Sequence, residues 1–195
     1  MQTATDFISE RGSTDFQMNE ISDRCNLSKG ALYYYFIDKA DLMDAIFDQV
    51  IGDLVEQVEE AVSTSRTPLE SIASIVRTLV KCIRAERPLV FAMVEELFLP
   101  EGIDLTTSGK RFSRVLELLE DYLEQARQEG LLKEELNSHR TACAIAGACI
   151  YNALAFVEGY DYGKPTDDIV REYLMLVMGG AATEKGLEYI RNYVE

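Results

Sequence analysis

Ser28-Lys29-Gly30-Ala31-Leu32-Tyr33-Tyr34-Tyr35-Phe36 makes an unusual short helix. Ser28 is a good N-cap, and Leu32 and Phe36, four residues apart, share one face that suits a core. Tyr33 is expected to be partly buried. Lys29, Gly30, Tyr34 and Tyr35 then project outward, and exposing several aromatics on so short a helix is costly unless something covers them. Packing into the core of a small helical domain is one way to cover them. A nucleic-acid groove is the other. Lysine can donate to guanine O6 and N7, tyrosine rings can touch thymine methyls, and tyrosine hydroxyls can reach phosphates. Glycine lets two backbones approach closely.

The flanking sequence completes a pattern of short helices. A first helix carries Ala4, Phe7 and Ile8 on one face and stops before Gly12; a second spans about residues 17–24, with Met18, Ile21 and Cys25 inward. Asn26-Leu27 supplies a tight turn, so residues 17–36 have the spacing of a helix-turn-helix. Asp38, with Asp41 three residues on, caps a long fourth helix whose apolar positions Leu42, Ala45, Ile46, Val50, Leu54, Val58 and Ala61 recur every 3 to 4 residues. Lys39, at that helix start, is placed to hold a phosphate together with nearby N–H groups.

This stretch resembles the TetR family of bacterial regulators. The resemblance rests on Ala4, Phe7, Ile8 and Gly12, on Ile21-Ser22, on Leu27 through Phe36, and on Lys39 and Leu42. It is specific over about the first 50 residues and only architectural beyond them. It implies that Lys29, Gly30, Ala31 and Tyr34 face bases, while Tyr35 and Lys39 hold the DNA backbone. Ser28 and Gln17 complete the expected DNA-binding set. Three departures stand out: the basic lead-in to the first helix is missing, Gln17 replaces a capping Thr or Ser, and Ser13 follows Gly12 where an aromatic is customary, a space Phe16 could fill.

The remaining chain reads as an all-α body. Residues 1–46 are expected to form the DNA-binding head and 47–195 the ligand-binding and dimerisation body, with a polar break at residues 63–66. Thr67-Pro68-Leu69-Glu70 is a helix start with a capping Thr and Pro in the first turn. Pro88 opens another helix, residues 99–107 read as a loop, and a long helix ends before Gly130. Two last helices, about 138–158 and 166–178, are separated by the turn around Gly163-Lys164-Pro165, and Gly179-Gly180 is expected to break the second. The 142–157 stretch is apolar nearly all round and rich in small residues, which suits a four-helix dimer interface between these two helices; burial inside a monomer is the alternative. Phe91, Glu95, Phe98, Phe112, Tyr122, Tyr151 and Phe156 are candidates to line a pocket for an unidentified small effector, against the simpler role of core packing.

Composition bounds the rest. The 195 residues are 47% apolar, enough for a sizeable core, and no run is long enough to span a membrane. The start lacks a signal-like apolar segment, so a cytoplasmic chain is expected. Cys25, Cys82, Cys143 and Cys149 show no CxxC pair and read as buried free thiols, although Cys143 and Cys149 share one helix and leave a redox role open. His139 is the sole histidine and stands at a helix start. With no ExxH, HExxH, P-loop or GxGxxG, neither catalysis, metal nor cofactor is expected. The net charge of −15 opposes nonspecific affinity for nucleic acid. The expected function is therefore a dimeric, ligand-responsive regulator of a near-palindromic double-stranded operator, a repressor released by a small molecule. A regulator-fold binding module that has lost DNA is the alternative.

Overall fold

The structure, a computed structural model, describes residues 2–11, 13–86, 88–90, 105–157 and 164–188. Eight helices of seven residues or more run in order among them: α1 (Gln2–Arg11), α2 (Met18–Arg24), α3 (Lys29–Tyr35), α4 (Lys39–Ser63), α5 (Pro68–Ala85), α6 (Leu105–Gln128), α7 (Ser138–Val157) and α8 (Thr166–Ala181). Residues 88–90 and 184–188 are also helical, and the described residues hold no strand, only an isolated bridge between Leu132 and Ala182. No helix among them is long and apolar enough to cross a membrane.

Local chemistry sets most boundaries. Asn26 takes a φ of 52°, the left-handed turn that asparagine tolerates, and this folds α3 back against α2. The Ser28, Asp38 and Thr67 side chains accept hydrogen bonds from the backbone N–H of Ala31, Asp41 and Glu70, and so cap α3, α4 and α5. Gly130, with φ of 72°, stands just past the end of α6.

Two cores result. Ala4, Phe7, Ile8, Phe16, Met18, Ile21, Leu32, Leu42, Met43, Ile46 and Phe47 close the head, joined by Leu89 from the helical turn after α5. The body core is built around α5, which packs against α4, α6, α7 and α8 and buries Leu69, Ile72, Ile75, Val76, Leu79 and Val80. The polar break at 63–66 ends α4, but α4 itself runs unbroken across the 46/47 boundary. Its first half serves one core; Leu54, Val58 and Val62 serve the other.

Two expectations need correction. Helix α8 does not break at Gly179-Gly180 but continues to Ala181. Each glycine costs about 1 kcal/mol relative to alanine in a helix, and the buried Met178 and Ala182 on either side hold the pair in place. Lys133 Nζ donates to the Gly180 carbonyl (2.7 Å), satisfying one of the carbonyls that a helix end leaves open. The expected 99–107 loop is also too long at its far end, because α6 begins at Leu105.

The chain after α8 folds back over the α6–α7 turn. Thr183 Oγ1 donates to the Gly130 carbonyl at 3.0 Å, and Lys185 Nζ donates to that of Glu129 at 3.1 Å. Gly186 lies so close that an added Cβ would stand 2.1 Å from the Leu131 carbonyl oxygen. Beside this turn Glu124 accepts from Arg127, Gln128 and Ser138, and those bonds, the one from Arg127 first, hold its carboxyl down at about 2.

Substitution of Gly186 by Ala is expected to destabilise the body by about 1–3 kcal/mol through overpacking, lowering Tm in a calorimetric scan by about 2–4 °C per kcal/mol. The Glu124 contribution has a pH window fixed by its lowered pKa. It is fully present above the ordinary carboxyl value of 4.5 and is lost as the pH falls toward about 2. Replacing Glu124 with Gln should flatten the acid limb of Tm against pH in that window and leave the neutral-to-basic limb unchanged in shape.

Candidate nucleic-acid interface

Helix α3 is held by one face only. Leu32 is buried and Phe36 packs against the head core, while Tyr34 is 82% exposed and Tyr35 70% exposed. Tyr33, expected to be partly buried, is half-exposed. The Tyr34 and Tyr35 rings meet edge to face with centroids 5.3 Å apart, a favourable geometry for aromatic pairs that also restrains their directions. Gly30 lies one turn before Tyr34, and an added Cβ there would meet nothing within 4 Å. Lys29 is exposed and Ala31 half-buried. Ser28 Oγ accepts from Ala31 N at 3.1 Å, so this exposed residue is already occupied as the cap.

Gln17 is the exposed N-cap residue of α2, and its N–H donates to Glu20 Oε2 at 2.7 Å. Lys39 opens α4 with Nζ 4.8 Å from the Phe16 ring centroid, a cation–π contact that directs the ammonium along the head surface. Phe16 is buried and stacks edge to face on Phe7, with centroids 6.0 Å apart. It therefore serves the core in the region where Ser13 offers no ring.

Charge in the head is partitioned. Through residue 45 there are eight acidic and four basic side chains. Arg11 pairs with Glu20 and Arg24 with Glu10, and both guanidinium groups lie over the Phe7 ring, at 4.4 and 5.3 Å. These pairs brace α1 against α2. The hydrogen bond from Gln17 N, and then that from Arg11, lower the Glu20 pKa. Asp38 Oδ1 accepts from Asp41 N, and Asp41 Oδ2 accepts from Ile37 N, so both carboxylates are tied to the start of α4. Among the described residues no ion pair joins Lys29 or Lys39 to a carboxylate.

Sequence reasoning missed Ile37, 82% exposed, and Leu27, 42% exposed, at the two ends of α3. The only signal was position: Ile37 lies between the inward Phe36 and the capping Asp38, where the chain must turn outward.

Of the residues proposed to line an effector pocket, Tyr122 and Tyr151 are the two whose side chains are described. Phe91, Glu95 and Phe98 lie outside the described residues. Phe112 and Phe156 fall on α6 and α7, where only the helical backbone is described. Tyr122 is half-buried against the body core, but Tyr151 is 73% exposed and does not line the interior of this chain. The reason is helical phase: Ala142, Ile145 and Cys149 take the inward face of α7, and Tyr151 falls opposite them.

A helix-turn-helix head with an exposed second helix, mounted on an all-helical body, defines a class of DNA-binding regulator folds. Residues 1–46 match the family model described as bacterial regulatory proteins, tetR family, and over the rest of the chain the likeness to solved structures is one of fold. The HTH-type transcriptional regulator UidR of Escherichia coli K12 is 24% identical over 189 residues, 94% of this chain and 91% of that protein. The fatty acid metabolism regulator protein of Bacillus subtilis is 24% identical over 139 residues, 70% of this chain and 71% of that one. Among solved structures, FadR from B. subtilis in complex with stearoyl-CoA superposes with a TM-score of 0.81 at 22% identity, covering 92% of this chain and 96% of that one. FadR from Bacillus halodurans gives a TM-score of 0.79 at 21% identity, covering 92% and 96%.

Because Tyr34 and Tyr35 are exposed, Ala at either position should change head stability by no more than about 0.5 kcal/mol. Equilibrium urea unfolding checks this. A much larger loss would mean that the rings hold the head together.

Proposed function

We propose that this chain is a dimeric, ligand-responsive DNA-binding regulator, a repressor released from its operator by a small molecule. The observation that carries the reading is the outward face of α3. Lys29, Gly30 and Tyr34 are placed for base edges, and Gln17, Ser28, Tyr35 and Lys39 for the backbone, with Ala31 at the edge of that face. The head (residues 1–46) can approach DNA despite its net negative charge, since Glu10, Glu20, Asp38 and Asp41 already have partners within it. Phosphate contacts supply most nonspecific affinity, so with two unpaired lysines per head this affinity is low and base readout carries more of the binding.

The body (residues 47–195) supplies the dimer. Ala144, Gly147 and Tyr151 of α7, with Met175 and Leu176 of α8, form an exposed face with few charges. Small residues allow close helix approach, and two copies of this pair make a four-helix seam. Pairing two heads suits a near-palindromic site. For the effector, the FadR relative in complex with stearoyl-CoA makes a long-chain acyl-CoA the first compound to try. A hundredfold release needs a preference of about 2.7 kcal/mol for the DNA-free state.

Gel shifts with the DNA upstream of the gene test the head. Lys29→Ala and Tyr34→Ala should each weaken specific binding by about 1–3 kcal/mol. Lys39→Ala should reduce the slope of log K against log salt by about 2 per dimer, one phosphate for each head. Gly30→Ala separates two effects: it should stabilise the free head by about 0.5–1 kcal/mol yet weaken operator binding. Wild type and variants that shift DNA alike, or not at all, would favour a regulator-fold binding module without DNA. Leu176→Arg should convert the dimer to a monomer in sedimentation velocity.

A further inference from the structure

On the flank of α7, away from the head, three titratable side chains form a relay that the proposed function does not use. His139 and Cys143 are one helical turn apart, so their side chains meet on one face. Cys143 Sγ lies 3.8 Å from His139 Nε2. The other ring nitrogen, Nδ1, lies 2.9 Å from Glu120 Oε2 on α6. One turn further along α6, Glu124 accepts from Ser138 Oγ at 3.0 Å and fixes the register of the two helices, which keeps Glu120 opposite His139.

The hydrogen-bond pattern selects the tautomer. An ionised carboxylate only accepts, so Nδ1 carries the hydrogen, and the Nε2 lone pair of the neutral ring faces the thiol. A nucleophile in reach of a base, with the base oriented by a third group, is the arrangement that activates a thiol. The thiolate is the reactive form.

We propose that Cys143 is a reactive-thiol modification site for soft carbon electrophiles of the α,β-unsaturated carbonyl class, with His139 as the base and Glu120 as the residue that positions it. The thiol proton passes to Nε2 and Sγ bonds to the β-carbon. The alkene electron pair moves to the carbonyl oxygen, and the resulting enolate takes a proton at its α-carbon from the imidazolium. The sum is addition of S–H across the double bond, with no leaving group and no oxidant.

The other cysteines lack this arrangement. Burial pushes the Cys149 thiol up to about 12, and burial also raises that of the half-buried Cys82. Cys25 packs against the head core. Cys143 is the one exposed thiol. At 3.6 residues per turn it sits about 40–100° around α7 from Ala144, Gly147 and Tyr151, on the side toward α6, and so at the edge of the proposed dimer face.

Brief treatment of the full native chain with N-ethylmaleimide at neutral pH, followed by peptide mass mapping, tests the site. Cys143 should label first. His139→Gln should slow that labelling about tenfold or more, and Glu120→Gln should slow it by a smaller factor. Cys149 should stay unlabelled in every sample, which shows that the variants remain folded. Equal Cys143 rates in wild type and His139→Gln, earlier labelling of Cys25 or Cys82, or an unlabelled Cys143 would each overturn the proposal. The readout needs neither operator nor dimer, so it stands or falls separately from the regulatory reading.

Discussion

Helix α4 belongs to two hydrophobic cores at once, and the arrangement of the molecule follows from that sharing. Leu42, Met43, Ile46 and Phe47 bury themselves among α1, α2 and α3, and further along the same rod Leu54, Val58 and Val62 bury themselves against α5. A helix of 25 residues is about 37 Å long. With no proline and a continuous apolar stripe, nothing in its sequence invites a kink. A change of tilt imposed by the body is therefore carried to the head as a displacement.

The head combines rigidity with an undersized positive charge. Its arginines are spent on bracing α1 against α2 over the Phe7 ring, and its lysines stand at the start of α3 and of α4. This division explains how a segment with twice as many acidic as basic residues can still present a usable face. Glu10, Glu20, Asp38 and Asp41 are held by N–H groups and guanidinium groups inside the head. The outward face of α3 itself is aromatic and weakly cationic, with Ile37 exposed just beyond its end.

Much of this was legible in the chain itself, because local rules dominate a helical protein. The period of Leu42 to Ala61, the Thr67-Pro68 start and Gly130 each state their structure within a few residues. Features that depend on distant partners left no such trace. Nothing in the sequence pairs Glu10 with Arg24 or places the Leu131 carbonyl against Gly186. Nor does it show that Lys133 would satisfy the last turn of α8 and let that helix pass through Gly179-Gly180. Tyr151 was misplaced for a related reason. An apolar residue on an apolar helix has no preferred side until the neighbours are known, and only the packing of Ala142, Ile145 and Cys149 decides which face turns inward.

Leu89 has a mechanical consequence. It lies beyond α5 in the chain, yet it is 1% exposed within the core of the head. Burying a leucine fully is worth about 1.5–3 kcal/mol, and that sum acts as a detent between the body and the head. Motions that carry the segment and the head together leave it seated and are nearly free. Any motion that separates them must first draw the side chain out into water, at a cost of about that size.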